Sequence, residues 1–251
     1  MNSIALVTGS SRGLGKNMAL HLAEDGHDVI ITYVRNADKA AEVVAEIQAK
    51  GQKAKALQLD VAQVSSYDQF VEQVKESLQN DFGATQISHL INNAGIGIHA
   101  PFPEVTEEQF DTLMNIHLKS AFFLTQKLLP VIADGGSVLN VSTGLARFTL
   151  PGYGAYAAMK GGVETLTRYQ AKTLGQRGIR VNVLAPGAIE TDFGGGVVRD
   201  NADVNGFIAS QTALGRAGLP DDIGSVAAFL ASDAAKWVNG QRLEASGGMF
   251  L

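Results

Sequence analysis

The stretch Ile4-Ala5-Leu6-Val7-Thr8-Gly9-Ser10-Ser11-Arg12-Gly13-Leu14-Gly15 runs from four apolar residues through three glycines into a helical pattern. A short apolar run suits a buried parallel strand. Glycines directly after it let the backbone turn sharply and approach a ligand closely. The free N–H groups at the start of the next helix attract an anion. Strand, glycine turn and helix in this order make a pyrophosphate site for a dinucleotide. The spacing is G-x-x-x-G-x-G rather than G-x-G-x-x-G, so a turn with no ligand stays open from this stretch alone. Two other motifs overlap it. Gly9-Ser10-Ser11-Arg12-Gly13 matches the G-x-S-x-G elbow of hydrolases, which needs a late histidine, yet no histidine follows His117. A Walker A loop around Gly15-Lys16 would need glycine at Ser10 and Ser or Thr at Asn17.

The alternation continues outward from this turn. Ile4–Val7, Val29–Tyr33, Ala56–Leu59, Leu90–Asn92, Val138–Val141 and Val181–Leu184 read as short buried strands with helical spacing between them. Leu14–Asp25 closes on Gly26 and Asp38–Lys50 on Gly51, glycines suited to the position just past a helix. Thr106-Glu107-Glu108-Gln109 has the form of a capping box ahead of Phe110. Long helices are expected near Phe110–Leu129 and Tyr156–Leu174. The pattern predicts an α/β fold: a Rossmann-type doubly wound parallel sheet with helices on both faces, residues 1–251 forming a single domain. Such sheets bind ligands beyond the C-terminal ends of their strands. Gly194-Gly195-Gly196 and the polar residues to Asn205 read as a mobile loop, part of a substrate-covering segment at 192–219. Phe148, Leu150, Phe193 and Phe207 suggest an apolar wall.

Composition narrows the function classes. Of 251 residues 28 are glycine, about 11% against an ordinary ~7%. A hydrophobic fraction of 45% with 18% charged residues excludes a disordered chain. With no cysteine, disulfide scaffolds, thiolate metal sites and cysteine nucleophiles are absent. The histidines His21, His27, His89, His99 and His117 show no ligand spacing, so no metal is expected; His99 and His117 read as structural or surface groups. A net charge of −5 with scattered Lys and Arg gives no nucleic-acid footprint and no membrane-surface helix. No secretory leader and no spanning run of 18 apolar residues is seen, so a soluble cytoplasmic location is expected.

Two sites carry the chemistry. NAD-selective turns place a carboxylate about 20 residues past the glycines; here the segment is Thr32-Tyr33-Val34-Arg35, with no acid. Arg12 and Arg35 can clamp a 2′-phosphate through bidentate guanidinium contacts, which predicts NADP(H) as cofactor. Tyr156 and Lys160 stand four apart and share a helix face. A nearby cation favours phenolate, so such a tyrosine can exchange a proton with a carbonyl or alcohol oxygen.

These motifs in this order resemble the short-chain dehydrogenase/reductase family, in particular members similar to 3-oxoacyl-acyl-carrier-protein reductase. The resemblance covers essentially the whole chain. It rests on Thr8-Gly9…Gly13-Leu14-Gly15, Asp60-Val61, Asn92-Asn93-Ala94-Gly95, Asn115, Tyr156…Lys160 and Pro186-Gly187…Thr191. It implies hydride transfer between the nicotinamide and a ketone or secondary alcohol, of 3-oxoacyl type or another small carbonyl. By resemblance Tyr156 is the acid/base, Lys160 binds the nicotinamide ribose, and Asn115 anchors a water in the proton path. Gly9, Ser11, Arg12, Gly13, Leu14, Gly15 and Arg35 would hold the phosphates, with Asp60 and Val61 beside the adenine. Asn92, Ala94, Gly95, Pro186, Gly187, Ile189 and Thr191 would line the rest of the cofactor. The family's substrate-orienting serine falls on Thr143, with Ser142 as the alternative; strand neighbours face opposite ways, so only one can serve. A homo-oligomer, tetramer or dimer, is expected. The alternative function is a non-catalytic dinucleotide sensor or scaffold of the same fold.

Overall fold

The computed structural model describes residues 3–251. Its strands are β1 (Ile4–Val7), β2 (Asp28–Tyr33), β3 (Ala54–Gln58), β4 (Ile87–Asn92), β5 (Ile132–Val141), β6 (Arg180–Pro186) and β7 (Arg242–Ala245). They form one sheet in the order β3-β2-β1-β4-β5-β6-β7, every pairing parallel. The helices are α1 (Gly13–Glu24), α2 (Ala37–Ala49), α3 (Tyr67–Ser77), α4 (Glu107–Leu113), α5 (Ser120–Leu128), α6 (Gly154–Leu174), α7 (Val197–Asp200), α8 (Ala202–Ser210) and α9 (Asp221–Ala231).

Strand alternation sends successive side chains to opposite faces. Leu6, Ile30, Leu90 and Val138 pack with Tyr67, Leu124 and Leu174 from α3, α5 and α6. Val7, Ile31, Ile91 and Leu139 pack with Met18, Val43 and Ile223 from α1, α2 and α9. The fold is the expected doubly wound one. Each such aliphatic side chain contributes about 1.5–3 kcal/mol by leaving water. Val7 pairs with Ile31 of β2 on one side and Ile91 of β4 on the other. Strand order reverses at this point, which opens a crevice beyond the ends of β1 and β4.

Three expectations are corrected. β7 is a strand that no apolar run announced. The segment 192–219 is not a bare loop: a 3₁₀ turn at Phe193–Gly196 leads into α7 and α8. The long helix expected near Phe110–Leu129 is interrupted by a π-turn at Met114–Lys119, where Ser120 N donates to the Asn115 carbonyl five residues back. The capping box at Thr106 and Gln109 forms as expected. Among the described residues no helix is long and apolar enough to cross a membrane.

Candidate active site

The first turn is shaped by what a side chain would hit. Gly9 and Gly13 have φ of +64° and +56°, a region that L-residues with a Cβ avoid. A Cβ at Gly9 would lie 2.8 Å from Ala94 Cα, and one at Gly15 would overlap the Gly9 carbonyl and crowd Asn93 Nδ2. Thr8 Oγ1 accepts from the N–H groups of Asn93 (2.9 Å) and Ala94 (3.0 Å), tying the first turn to the fourth. Ser10 is fully buried and donates to the Val7 carbonyl at 2.6 Å, so it braces the turn from within. Ser11 and Leu14 are half-buried, and Leu14 packs on the α1 side of the core. No side chain caps α1, which leaves its first-turn N–H groups to an anion. These features fit a dinucleotide pyrophosphate.

The remaining cofactor candidates ring the same crevice. The Asp60 carboxylate accepts from Ala62 N at 3.0 Å, and Val61 is buried with its carbonyl bonded to the Tyr67 hydroxyl. Asn92 points toward β5 and α5: its Nδ2 donates to Asn140 Oδ1 (2.8 Å) and Thr125 Oγ1 (2.9 Å). Its side chain therefore holds two strands in register. Gly95 faces the His117 ring, which a Cβ there would meet at 2.7 Å. Pro186 ends β6 and Gly187 follows it, pressed against Ser246. Ile189 bridges to Gly218, and Thr191 is buried, its Oγ1 accepting from Phe193 N. Arg35 is exposed in the β2–α2 turn. Arg12 is turned toward Asp192 at 3.9 Å.

The catalytic candidates converge at the ends of β4 and β5. Tyr156 is buried, with the Thr143 side chain beside its phenol and favouring its ionised form. Ser142 faces away: its Oγ donates to Glu164 Oε1 at 2.7 Å. Lys160 is buried and donates to the Val141 carbonyl at 2.7 Å, its Nζ 5.8 Å from the Tyr156 ring centre. Burial lowers the Lys160 pKa to about 7. Burial also pushes the Tyr156 phenol above its ordinary value, outweighing the opposite effect of the Thr143 side chain. The simple expectation that the adjacent lysine makes this phenol acidic is thus corrected: desolvation dominates both groups. Asn115 lies on the π-turn with its carbonyl held by Ser120.

His117, which the sequence offers as a structural or surface group, is a structural one that stands against the catalytic candidates. It is buried edge-on to Tyr156, with ring centres 5.1 Å apart, and its Nε2 bonds the Ile96 carbonyl at 2.9 Å. Burial first, and Lys160 second, lower its pKa to about 2, so it is neutral. Thr8, Asn92, His117, Ser120 and Lys160 border a cavity of about 10 Å³, room for about one water. A larger opening of about 310 Å³ is lined by Arg12, Ile96, His99, Tyr153, Asp192 and Phe193. Phe193 packs 5.8 Å from the Tyr156 ring.

A family model described as enoyl-(acyl carrier protein) reductase matches residues 9–250. The chain is a short-chain dehydrogenase/reductase. This reductase is 38% identical to 3-oxoacyl-[acyl-carrier-protein] reductase FabG of Staphylococcus epidermidis over 253 aligned positions, covering all of both chains. It is 34% identical to the solved structure of LugOII, a promiscuous reductase that catalyses keto-reduction at C1 during lugdunomycin biosynthesis. The TM-score is 0.94, with 99% of this chain and 98% of that one covered. It is 35% identical to landomycin C-6 ketoreductase LanV with bound NADP and rabelomycin, at a TM-score of 0.90 over 99% and 96% of the chains. The short-chain dehydrogenase/reductase is an oxidoreductase, and the catalytic reading stands over the scaffold alternative.

Proposed function

We propose that this enzyme uses NADP(H) to interconvert a ketone and a secondary alcohol, with Tyr156 as acid/base. The observation that carries this reading is the grouping of the Thr143 side chain and Lys160 about the buried Tyr156 phenol at the strand-order reversal. NADP(H), when bound, supplies or accepts the hydride. Gly9, Ser11, Gly13, Leu14 and Gly15 would receive its pyrophosphate, and Arg12 and Arg35 its 2′-phosphate. Asp60 and Val61 would flank the adenine. Ala94, Gly95, Pro186, Gly187, Ile189 and Thr191 would line its nicotinamide half. Asn92 would line the cofactor as well, its side-chain amide braced by Asn140 and Thr125.

Thr143 Oγ1 orients the substrate oxygen beside the Tyr156 hydroxyl, which gives that oxygen its proton in reduction and takes it back in oxidation. Lys160 sits behind the phenol, and its near-neutral pKa lets it pass a proton in either direction. The Asn115 carbonyl would continue the path through one water. Phe193 excludes bulk solvent from the phenol.

The wall of Ile96, His99, Tyr153 and Phe193 suits a small carbonyl compound, whether 3-oxoacyl or cyclic. Exposed Phe122 and Tyr169 on α5 and α6, and Trp237 and Leu243 near β7, support a homo-oligomer. A cytoplasmic location accords with the cofactor. The test is NADPH oxidation with a ketone panel: Tyr156→Phe is expected to bind NADPH as wild type does and to lose turnover by about 10²-fold or more. Near-normal turnover would refute the assignment.

A further inference from the structure

A chain of four alternating charges lies beneath the crevice wall, and no role above uses it. β7 presents Arg242 and Glu244 on one face, with Leu243 between them turned the other way. Arg242 Nε donates to Glu164 Oε1 of α6 at 2.7 Å, and Nη1 donates to Glu244 Oε2 at 2.7 Å. Its Nη2 donates to the Thr143 carbonyl at 3.2 Å. The same Glu164 oxygen accepts from Ser142 Oγ. Arg147 closes the chain on Glu244, with Nε at 2.8 Å and Nη2 at 2.6 Å, and also holds the Met249 carbonyl at 2.8 Å. The Arg242, Glu164 and Glu244 side chains are only 23%, 13% and 16% exposed.

Partly desolvated ion pairs are weak stabilisers, because the lost hydration offsets most of the attraction. What this network provides is placement. A guanidinium is a planar fork that holds several acceptors in fixed directions. Here it fixes the Thr143 carbonyl directly and Ser142 through Glu164, on both sides of the peptide that enters Thr143. Threonine is β-branched and stiff at χ1, so backbone orientation passes straight to its Oγ1. We propose that Arg242, acting with Glu164, is a positioning residue for Thr143, and that Ser142 is a strut of that support. The proposal rests on the assignment of Thr143 as the substrate-orienting group.

The experiment measures single-turnover rates, KM for a ketone and NADPH affinity for Arg242→Lys and Arg242→Gln, each in the wild-type and Thr143→Ala backgrounds. Lysine keeps the charge but cannot hold three acceptors in a plane. In the wild-type background both substitutions are expected to slow turnover on the order of tenfold, with NADPH affinity within twofold. In the Thr143→Ala background the further loss should be less than twofold, because the group being positioned is gone. If Arg242→Gln does not fold, Arg242→Lys alone decides. An equal loss in both backgrounds, or none in the wild type, overturns the proposal while leaving Thr143 in its role. Normal turnover in Thr143→Ala overturns that role, and the proposal with it.

Discussion

A methyl group at Gly9 would meet two penalties, and its neighbour Gly13 would meet only one. Both residues sit at positive φ, +64° and +56°. Holding an alanine there costs about 1–2 kcal/mol. At Gly13 the new Cβ would touch Thr191 Cβ at an ordinary 3.8 Å, so the backbone term stands alone. At Gly9 it would lie 2.8 Å from Ala94 Cα and 3.1 Å from Ala94 Cβ. That contact is with main chain fixed by Thr8, so the turn or the Asn93-Ala94 segment must move, at a further cost of about 1–3 kcal/mol. At about 2–4 °C per kcal/mol for a chain of this size, Gly13→Ala is expected to lower Tm by about 2–8 °C. Gly9→Ala should fall a further 2 °C or more below it, with roughly additive strain and overpacking. Circular dichroism melts measure both, and fluorescence titration with NADPH shows whether the displaced turn still binds. Equal melting temperatures for the two variants would refute the reasoning, because the close approach to Ala94 would then carry no cost.

Other outcomes follow from the same geometry. Thr143→Val is expected to lose far more turnover than Ser142→Ala, since the Thr143 side chain stands beside the Tyr156 phenol while Ser142 is turned to Glu164; the opposite ranking in NADPH-oxidation assays would reverse the roles. Arg35→Leu should raise KM for NADPH about 10–100-fold, the worth of about 1.5–3 kcal/mol for a charged hydrogen bond, while leaving NADH little changed. His89 is buried against Ser137, and burial lowers its pKa to about 3. Between pH 6.5 and 3 the unfolded chain therefore takes up a proton that the folded chain refuses, and stability falls as pH falls. Urea melts at pH 7 and pH 4.5 should show a smaller acid loss in His89→Asn than in wild type. For Lys160, with a folded pKa of about 7 against an ordinary 10.5, the unfolded chain binds the extra proton between those values. Stability should thus rise with pH from 7 to 10 in wild type relative to Lys160→Met, and parallel curves would contradict the burial account.

Six strands were legible because their short runs are mostly apolar, broken at most by one uncharged polar residue such as Gln58, Asn140 or Asn182. β7 was not, because Arg242 and Glu244 interrupt it; it is an edge strand whose polar residues pair with each other and with Glu164. The glycine triplet at 194–196 read as a loop, yet its positive φ values make a tight turn into α7 and α8. Glycine marks unusual backbone, and that is a different property from motion. In the site, the Tyr156–Lys160 spacing placed both groups on one helix face. It could not show that burial, rather than their mutual charge, sets their protonation. The choice between Thr143 and Ser142 depended on which way the chain leaves β5 after Val141, a matter of parity that spacing cannot decide. His117 was legible as a structural or surface group, but a lone histidine looks the same whether it braces a tyrosine or fills a core, so its contact with Tyr156 was not.

The π-turn at Met114–Lys119 has a consequence for how this enzyme can vary. A π-turn is an α-helix carrying one surplus residue. Deleting a single amino acid from this stretch would let α4 and α5 merge into a regular helix with its hydrogen-bond ladder repaired. The same deletion would rotate everything before it by about 100°, moving Asn115 from its present place on the turn. The surplus residue thus sets the direction in which the backbone on either side of Asn115 points, a setting that a regular helix here would not keep.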